Sequence, residues 1–439
     1  RTNVESYPLE DFMAPLKWTL IAFAVVAFTT GIGRADVWPQ FRGPRGDGLS
    51  AERNLPTKWS EKEGTLWKTD LPGRSNSSPA VTKNRIDLTT QMPDDSLWVV
   101  SIDRRNGKIV RKLKVGSGTL ATTGPAKLYA YRHNAATPSP VSDEDNIWAF
   151  FGTGLLVCID AGTGEMKWRR DLVSDDGKYN ITFGMGSSPR LWGNAVYIVC
   201  MTKGASYVVA VDKKTGKEIW KTDRKLPAKD DGPDAYSTPV VLNIHNQDQL
   251  VVTGSDHVNA YGLLTGKQLW ITDGLMIDSP YGRIIASAVA EEGVVVATSG
   301  NPAGAGKGHI MAVRPGQGDV RATKLWKHGK STPDSASPVC VNGKVYALAD
   351  AGIVTCLDLG TGKVDWVERL GKGPFHASIV AGDGKLYCLS IEGNCTVMQA
   401  GSEAKVLSTN KLSGTFYATP AISDGVLYLR AYERLYAIQ

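Results

Sequence analysis

The chain has 439 residues, of which 42% are apolar and 21% charged, with 47 Gly, 22 Pro and a formal net charge of +6. That apolar share supports a large core and excludes a disordered chain; the glycines follow no collagen triplet, and no series of ~20-residue apolar runs marks a polytopic membrane protein. The basic residues are dispersed, the six histidines show no metal-ligand spacing, and the six cysteines form neither CxxC nor CxxCH, which argues against a nucleic-acid binder, a zinc ribbon, a thioredoxin-like site and covalent haem.

The first predicted element is an export signal. Residues 1–12 read as an upstream extension with Met13 as the start; Lys17 precedes an uncharged run from Trp18 to Thr30, which ends in Gly33-Arg34-Ala35. A basic residue, a short apolar core and small residues at −3 and −1 are what secretory cleavage requires. Cleavage after Ala35 is expected, with an uncut anchor as the alternative. Neither a twin arginine nor a lipobox cysteine occurs here. Residues 36–65 form a Gly/Pro-rich lead-in, and its Arg45-Gly46-Asp47 reads as a chance tripeptide rather than an integrin ligand.

A repeat organises residues 66–439. The segment from Ala210 to Trp220, Ala-Val-Asp-Lys-Lys-Thr-Gly-Lys-Glu-Ile-Trp, has close copies at Cys158–Trp168 and Cys356–Trp366. A copy at Ala260–Trp270 carries Gly262 in place of Asp, one at Ser101–Arg111 puts Arg111 at the Trp position, and a looser one runs from Ala312 to Trp326. A second marker, a small residue before Pro or another small residue, stands at Ser78-Pro79, Ser139-Pro140, Ser188-Pro189, Thr238-Pro239, Ser287-Ala288, Ser337-Pro338, Ala377-Ser378 and Thr419-Pro420. Its mean period is about 49 residues. Within a period, alternating apolar strands are separated by turns such as Asn342-Gly343 and Asp350-Ala351-Gly352. Four short strands joined by hairpins predict one propeller blade per period. Asp and Thr would satisfy turn amides, Gly would take the left-handed residue, and each Trp would lie against the next blade with its N–H free for a partner. Trp67, Trp168, Trp220, Trp270, Trp326 and Trp366 are therefore structural docking residues.

Eight markers predict eight blades, yet the chain ends within the eighth. Leu66-Trp67-Lys68-Thr69-Asp70 repeats Ile219-Trp220-Lys221-Thr222-Asp223 almost residue for residue. The strand of Trp67 is thus expected to complete blade 8, closing the ring and covering a free sheet edge. The insertion Ser299–Gly308 lengthens blade 5; Lys307 is followed by Gly308, so the phosphate-loop spacing fails and the segment reads as a surface loop.

The motif Ala-x-Asp-x-x-Thr-Gly-x-x-x-Trp resembles the tryptophan-docking repeat of the PQQ-like β-propeller family, and Val37–Gly48 resembles the mature N-terminus of its exported bacterial members. The resemblance implies an all-β, eight-bladed propeller and two kinds of activity. Quinoprotein dehydrogenases of the family hold PQQ and Ca²⁺ over the propeller axis, many with a vicinal disulfide against the cofactor. Scaffold members of the BamB type, which serve outer-membrane assembly, bind no cofactor. This chain has no adjacent cysteines, and none of its positions matches the family's Ca²⁺ ligands or catalytic Asp. The expectation is an exported, monomeric, non-catalytic module of the periplasm or cell envelope, without cofactor or metal, that binds a protein, peptide or glycan. A PQQ/Ca²⁺ oxidoreductase is the alternative, and a polysaccharide-active enzyme a third reading for which no carboxylate pair can be assigned.

The loops entering each inner strand ring the mouth of the channel. Counting back from the marker, Tyr236, Phe375 and Tyr417 share one position and Arg74 and Arg283 another, with Phe183, Tyr281, His376 and Phe416 nearby. Aromatics and arginines converging on a concave mouth suit a peptide, a glycan or a flat cofactor; the competing reading is that they merely pack the rim. Cys158 and Cys356 occupy equivalent positions on opposite sides of the ring. Cys388 and Cys395 flank Glu392-Gly393, where a two-residue hairpin sets them diagonally, about 7–8 Å apart and beyond disulfide reach. Free, mostly buried thiols are expected despite export.

Overall fold

The computed structural model describes residues 37–122, 132–300, 308–316, 320–371 and 373–439. The expected signal segment and most of the blade 5 insertion lie outside them. The described residues belong to one compact unit.

Eight sheets follow one another, each built on four antiparallel strands in up-and-down order, blade 4 carrying one further, parallel strand. Blade 3 is typical: Arg190–Trp192, Ala195–Cys200, Tyr207–Asp212 and Glu218–Asp223. Blade 8 combines Ala421–Ser423, Val426–Arg430 and Arg434–Ile438 with the N-terminal strand Thr65–Asp70, in which Trp67 lies opposite Ala437. The ring therefore closes as the Trp67 repeat predicts. Among the described residues one short helix, Leu172–Asp176, capped by Asp171, interrupts the pattern after blade 2.

The repeat motif now has a mechanical account. Ala210 lies directly opposite Trp220, and Cys158, Cys356, Ala260 and Ala312 oppose their own tryptophans, so a small residue leaves room for the indole. Asp160 Oδ1 accepts from the Gly162 and Thr163 amides at 2.9 and 2.8 Å, and Asp212 and Asp358 serve their turns likewise. The turn glycine has φ +71° at Gly216, and a Cβ there would sit 2.7 Å from the Trp168 ring of the preceding blade. Glycine is thus needed for its backbone conformation and for the indole's approach. The N–H of Trp220 donates to Leu263 O at 2.9 Å, that of Trp326 to Leu359 O at 2.8 Å and that of Trp366 to Gly401 O at 3.0 Å; Trp67 and Trp168 reach Arg104 O and Lys213 O, each at 3.2 Å. Each acceptor is a carbonyl of the next blade.

Three joints depart from this scheme. Arg111 replaces Trp in blade 1 and does the same work: its guanidinium donates to Ala161 O and Gly162 O, both at 2.6 Å, and covers Gly164. The N–H of Trp270 finds its partner within its own blade, donating to Gln249 Oε1 at 2.8 Å. A fifth, parallel strand, Val320–Arg321, pairs along this edge beside Trp270, which is fully buried. Blade 7 has Ser408 at the Trp position, and the lead-in covers that blade, Trp59 N donating to Asn410 Oδ1 at 2.9 Å.

All six cysteines are buried free thiols. The reason for the pair at 388 and 395 differs from the diagonal expected: Leu389 opposes Cys395 and Cys388 opposes Thr396, so the thiols point to opposite faces of the blade and join different core clusters.

Candidate functional site

The Ser/Thr of the second marker links blade to blade around the channel. Ser78 N donates to Ser139 Oγ, Ser139 N to Ser188 Oγ, and so on through Thr238, Ser287, Ser337 and Ser378 to Thr419 Oγ1, seven links of 2.8–3.1 Å. This circuit corrects the blade 7 marker: its hydroxyl is Ser378, followed by Ile379, one residue beyond the Ala377-Ser378 alignment.

The correction moves a site residue. Counted from Ser378, the position of Tyr236 and Tyr417 belongs to His376, and Phe375 falls back to the position of Ala235 and Phe416. Phe375 and Phe416 are 2% and 0% exposed and belong to core clusters between blades, their rings covering Gly352 and Gly393. Neither lines the mouth. Phe183, Tyr236, Tyr281, Arg283, His376 and Tyr417 do; they surround a cavity of about 1200 Å³ whose lower tier is the hydroxyl circuit. Arg74 stands behind the wall, its guanidinium 4.1 Å from the Tyr432 ring centre and donating to Tyr432 OH at 2.9 Å.

Two groups of side chains build the walls. On blades 7 and 8, His376 stacks on Tyr417 with centroids 5.5 Å apart, Tyr417 on Tyr432 at 5.2 Å, and Arg74 closes the pile. Both faces of Tyr417 are therefore occupied, and this wall offers ring edges. On blades 4 to 6, Arg283 lies 4.8 Å from the Phe183 ring centre and pairs with Asp231 at 3.2 Å and Asp334 at 3.9 Å. Burial raises both carboxyl pKa values, that of Asp334 to about 7, against the opposing pull of Arg283; Asp350 and Asp231 add repulsion. Asp350 meets His376 Nδ1 at 3.0 Å and accepts from Asp334 N at 3.1 Å. Ser335 Oγ reaches the same Nδ1 at 3.2 Å, so serine and carboxylate compete for one nitrogen and these three residues form no serine–histidine–aspartate relay. His133, which also lines the cavity, is held neutral, its pKa pushed to about 4 by burial.

The lead-in supplies the floor. Trp38 pairs with Val81 of blade 1, Ser142 N of blade 2 donates to Pro39 O, Leu191 N of blade 3 to Gln40 Oε1, and Ala381 of blade 7 exchanges bonds with Gly48 and Ser50. The strand therefore crosses the ends of the inner strands opposite the mouth. Arg190, fully buried, donates to Phe41 O at 3.0 Å and Pro239 O at 2.8 Å and packs on Gly46. Arg42, also fully buried, donates to Asp47 O at 2.8 Å and to Pro338 O of blade 6. The Arg45-Gly46-Asp47 tripeptide is thus part of this plug, and Phe41 is the lead-in residue facing the cavity. The floor, the carboxylates and Tyr432 carry no repeat signature. His376, named from sequence as a neighbour of the shared position, in fact occupies it.

The fold is thus a β-propeller with one end plugged and an aromatic, charged cavity at the other. A family model described as "Outer membrane protein assembly factor BamB" matches residues 47–222, 185–383 and 350–439, and the chain belongs to that family. Curated relatives include the outer membrane protein assembly factors BamB of Yersinia pestis, 26% identical over 53% of this chain and 56% of that protein, and of Burkholderia pseudomallei, 25% identical over 52% and 54%. These alignments span about half the length of each relative. In structure the chain is similar to BamB from Moraxella catarrhalis (TM-score 0.58, 12% identity, 85% of this chain and 99% of that one). It is also similar to the quinohemoprotein alcohol dehydrogenase of Comamonas testosteroni (TM-score 0.62, 12% identity, 92% and 80%). At these identities the structural likeness speaks for fold alone.

The residues present do not fit a quinone held over a metal ion. Among the described residues no three His, Cys, Asp or Glu side chains gather closely enough to hold a cation. All six cysteines are buried away from the cavity, and none is adjacent to another in the chain.

Proposed function

We propose that the chain is an exported, non-catalytic binding module of the cell envelope that takes a protein segment into the open mouth of its channel. The cavity carries this reading: about 1200 Å³, floored by Phe41 and walled by rings and charged groups, without the donor set for a metal-held cofactor. The family and the names of the relatives favour a role in outer-membrane assembly; in this reading residues 1–35 are an upstream extension and signal peptide, 36–65 the lead-in and 66–439 the propeller. A quinoprotein dehydrogenase is the second reading, favoured by likeness of fold.

A photo-reactive side chain at Tyr281, 47% exposed on the lip, should cross-link an envelope protein in cells; the same probe at Leu264, 87% exposed on an outer turn, should not. Equal capture at both positions, or none at Tyr281, overturns the assignment to the mouth. Stoichiometric binding of PQQ and Ca²⁺ with dye-linked alcohol oxidation overturns the non-catalytic reading.

A further inference from the structure

The wall formed by blades 4 to 6 carries more negative than positive charge. Asp231 and Asp334 are 7% and 5% exposed, share the single guanidinium of Arg283, and each leaves Oδ1 without a hydrogen bond. The neighbouring acids are committed elsewhere. Asp350 is paired with His376 and two backbone amides, and Asp234 accepts from the Thr182 and Lys203 amides. A buried carboxylate lacking a counter-charge takes up either a proton or a cation. Phe183, Tyr236 and Tyr281 line the same part of the cavity and offer apolar surface to an alkyl stem behind a charged head.

We propose that Asp231, Asp334 and these rings form a subsite for an organic cation, a primary ammonium or guanidinium group such as a lysine or arginine side chain of the bound segment. The proposal rests on the binding reading above and names the chemistry that the mouth selects. The incoming cation brings the count to two carboxylates and two cations, completing what Arg283 leaves unbalanced. Cation binding expels the Asp334 proton. Arg283 and His376 favour the Asp334 carboxylate, while Asp231 and Asp350 oppose it, as does burial. Affinity therefore rises with pH as Asp334 passes its midpoint near 7. The exposed Lys203 and Asp230, further along the lining, carry opposite charges.

The test uses the purified protein, a capped alanine peptide with one central lysine, its norleucine counterpart, and butylammonium, followed by calorimetry. The lysine peptide should bind about tenfold more tightly than the norleucine peptide, or about 1.4 kcal/mol, with the preference growing from about pH 6 to about pH 8. Asp334→Asn should abolish the preference. Should that variant fail to fold, Asp231→Asn carries the same expectation. Equal binding of both peptides, or a preference that survives in a folded carboxamide variant, overturns the subsite even where Tyr281 cross-links a protein. Butylammonium binding as tightly as the lysine peptide, with no cross-link from Tyr281, keeps the subsite and sinks the protein-segment reading.

Discussion

The two ends of the channel are built from opposite materials. At the far end a single strand of backbone, Trp38 to Ser50, crosses the ring, and its carbonyls are addressed by inner-strand amides and by the buried Arg190 and Arg42. At the mouth the walls are side chains from eight pre-marker loops, two of them carboxylates with an unpartnered oxygen. Backbone bonds are indifferent to side-chain identity, so the far end is suited to closing a ring. The mouth changes character with every residue in its loops, so it is suited to recognition. The sharpest way to break the comparison is to remove the closure on which both ends depend. Deleting residues 66–71 leaves the Arg434–Ile438 strand as an open edge and should abolish cooperative thermal unfolding or cause aggregation; an unchanged melting temperature refutes the closure.

Within the closed ring, the far end should dominate stability. Arg190→Ala leaves buried carbonyls of Phe41, Gly43 and Pro239 without their donor and removes the side chain on which Gly46 rests. Losing several charge-assisted bonds in a buried site should cost about 3–5 kcal/mol, read from urea unfolding. A cost below about 1 kcal/mol would mean that the plug is held by its other bonds, to blades 1, 2, 3, 6 and 7.

At the mouth, charge should weigh against stability at neutral pH. The Asp334 carboxyl titrates near 7 in the fold, above the usual value of about 3.9 in an unfolded chain. A raised folded pKa means that the protonated carboxyl favours folding; this contribution is complete in acid and fades as pH rises through 7. Asp334→Asn, which keeps the shape and discards the charge, should therefore stabilise the protein by about 2–4 kcal/mol near pH 8 and by almost nothing near pH 4. Melting temperatures across that range check the sign. A variant less stable than the parent at alkaline pH removes the charge imbalance on which the cation subsite stands.

The same contrast explains what could be read from sequence. Spacing fixed by repeated contacts is legible: Asp212, Gly216 and Trp220 recur because every blade needs the same turn and the same approach to its neighbour. Ser-Pro was visible as a marker, but its hydroxyl circuit was not, since the acceptor lies one blade away. At Ser378 the absent proline let the alignment slip by one residue, which exchanged the buried Phe375 for the cavity-lining His376. Substitution hid function of another kind at Arg111, where a guanidinium replaces an indole and bonds to the same turn. Asp231 and Asp334 come from the loops entering blades 4 and 6 at unrelated distances from their markers, and the lead-in resembles a linker by composition. Their roles follow from closure of the ring, which brings distant segments together.

The stacked wall of blades 7 and 8 separates rim packing from recognition by the smallest effect. Arg74 caps the pile through Tyr432 without lining the cavity. Removing it takes away one cation–π contact of about 0.5–1 kcal/mol and the Arg74 hydrogen bond to the Tyr432 hydroxyl. Arg74→Ala should therefore cost no more than about 1 kcal/mol of stability. If the pile serves only to stiffen the rim, cross-linking from Tyr281 on the opposite lip should not change in this variant. If His376 and Tyr417 present their edges to the bound segment, loosening the outermost member frees Tyr432 to swing, and Tyr417 with it. Capture should then fall severalfold while the melting temperature barely moves. That second pattern is the one expected here, because the Arg74 guanidinium and both tyrosine rings are packed to hold His376 flat at the cavity wall. Unchanged capture with an unchanged melting temperature assigns the pile to rim packing and leaves the carboxylate wall as the recognising face.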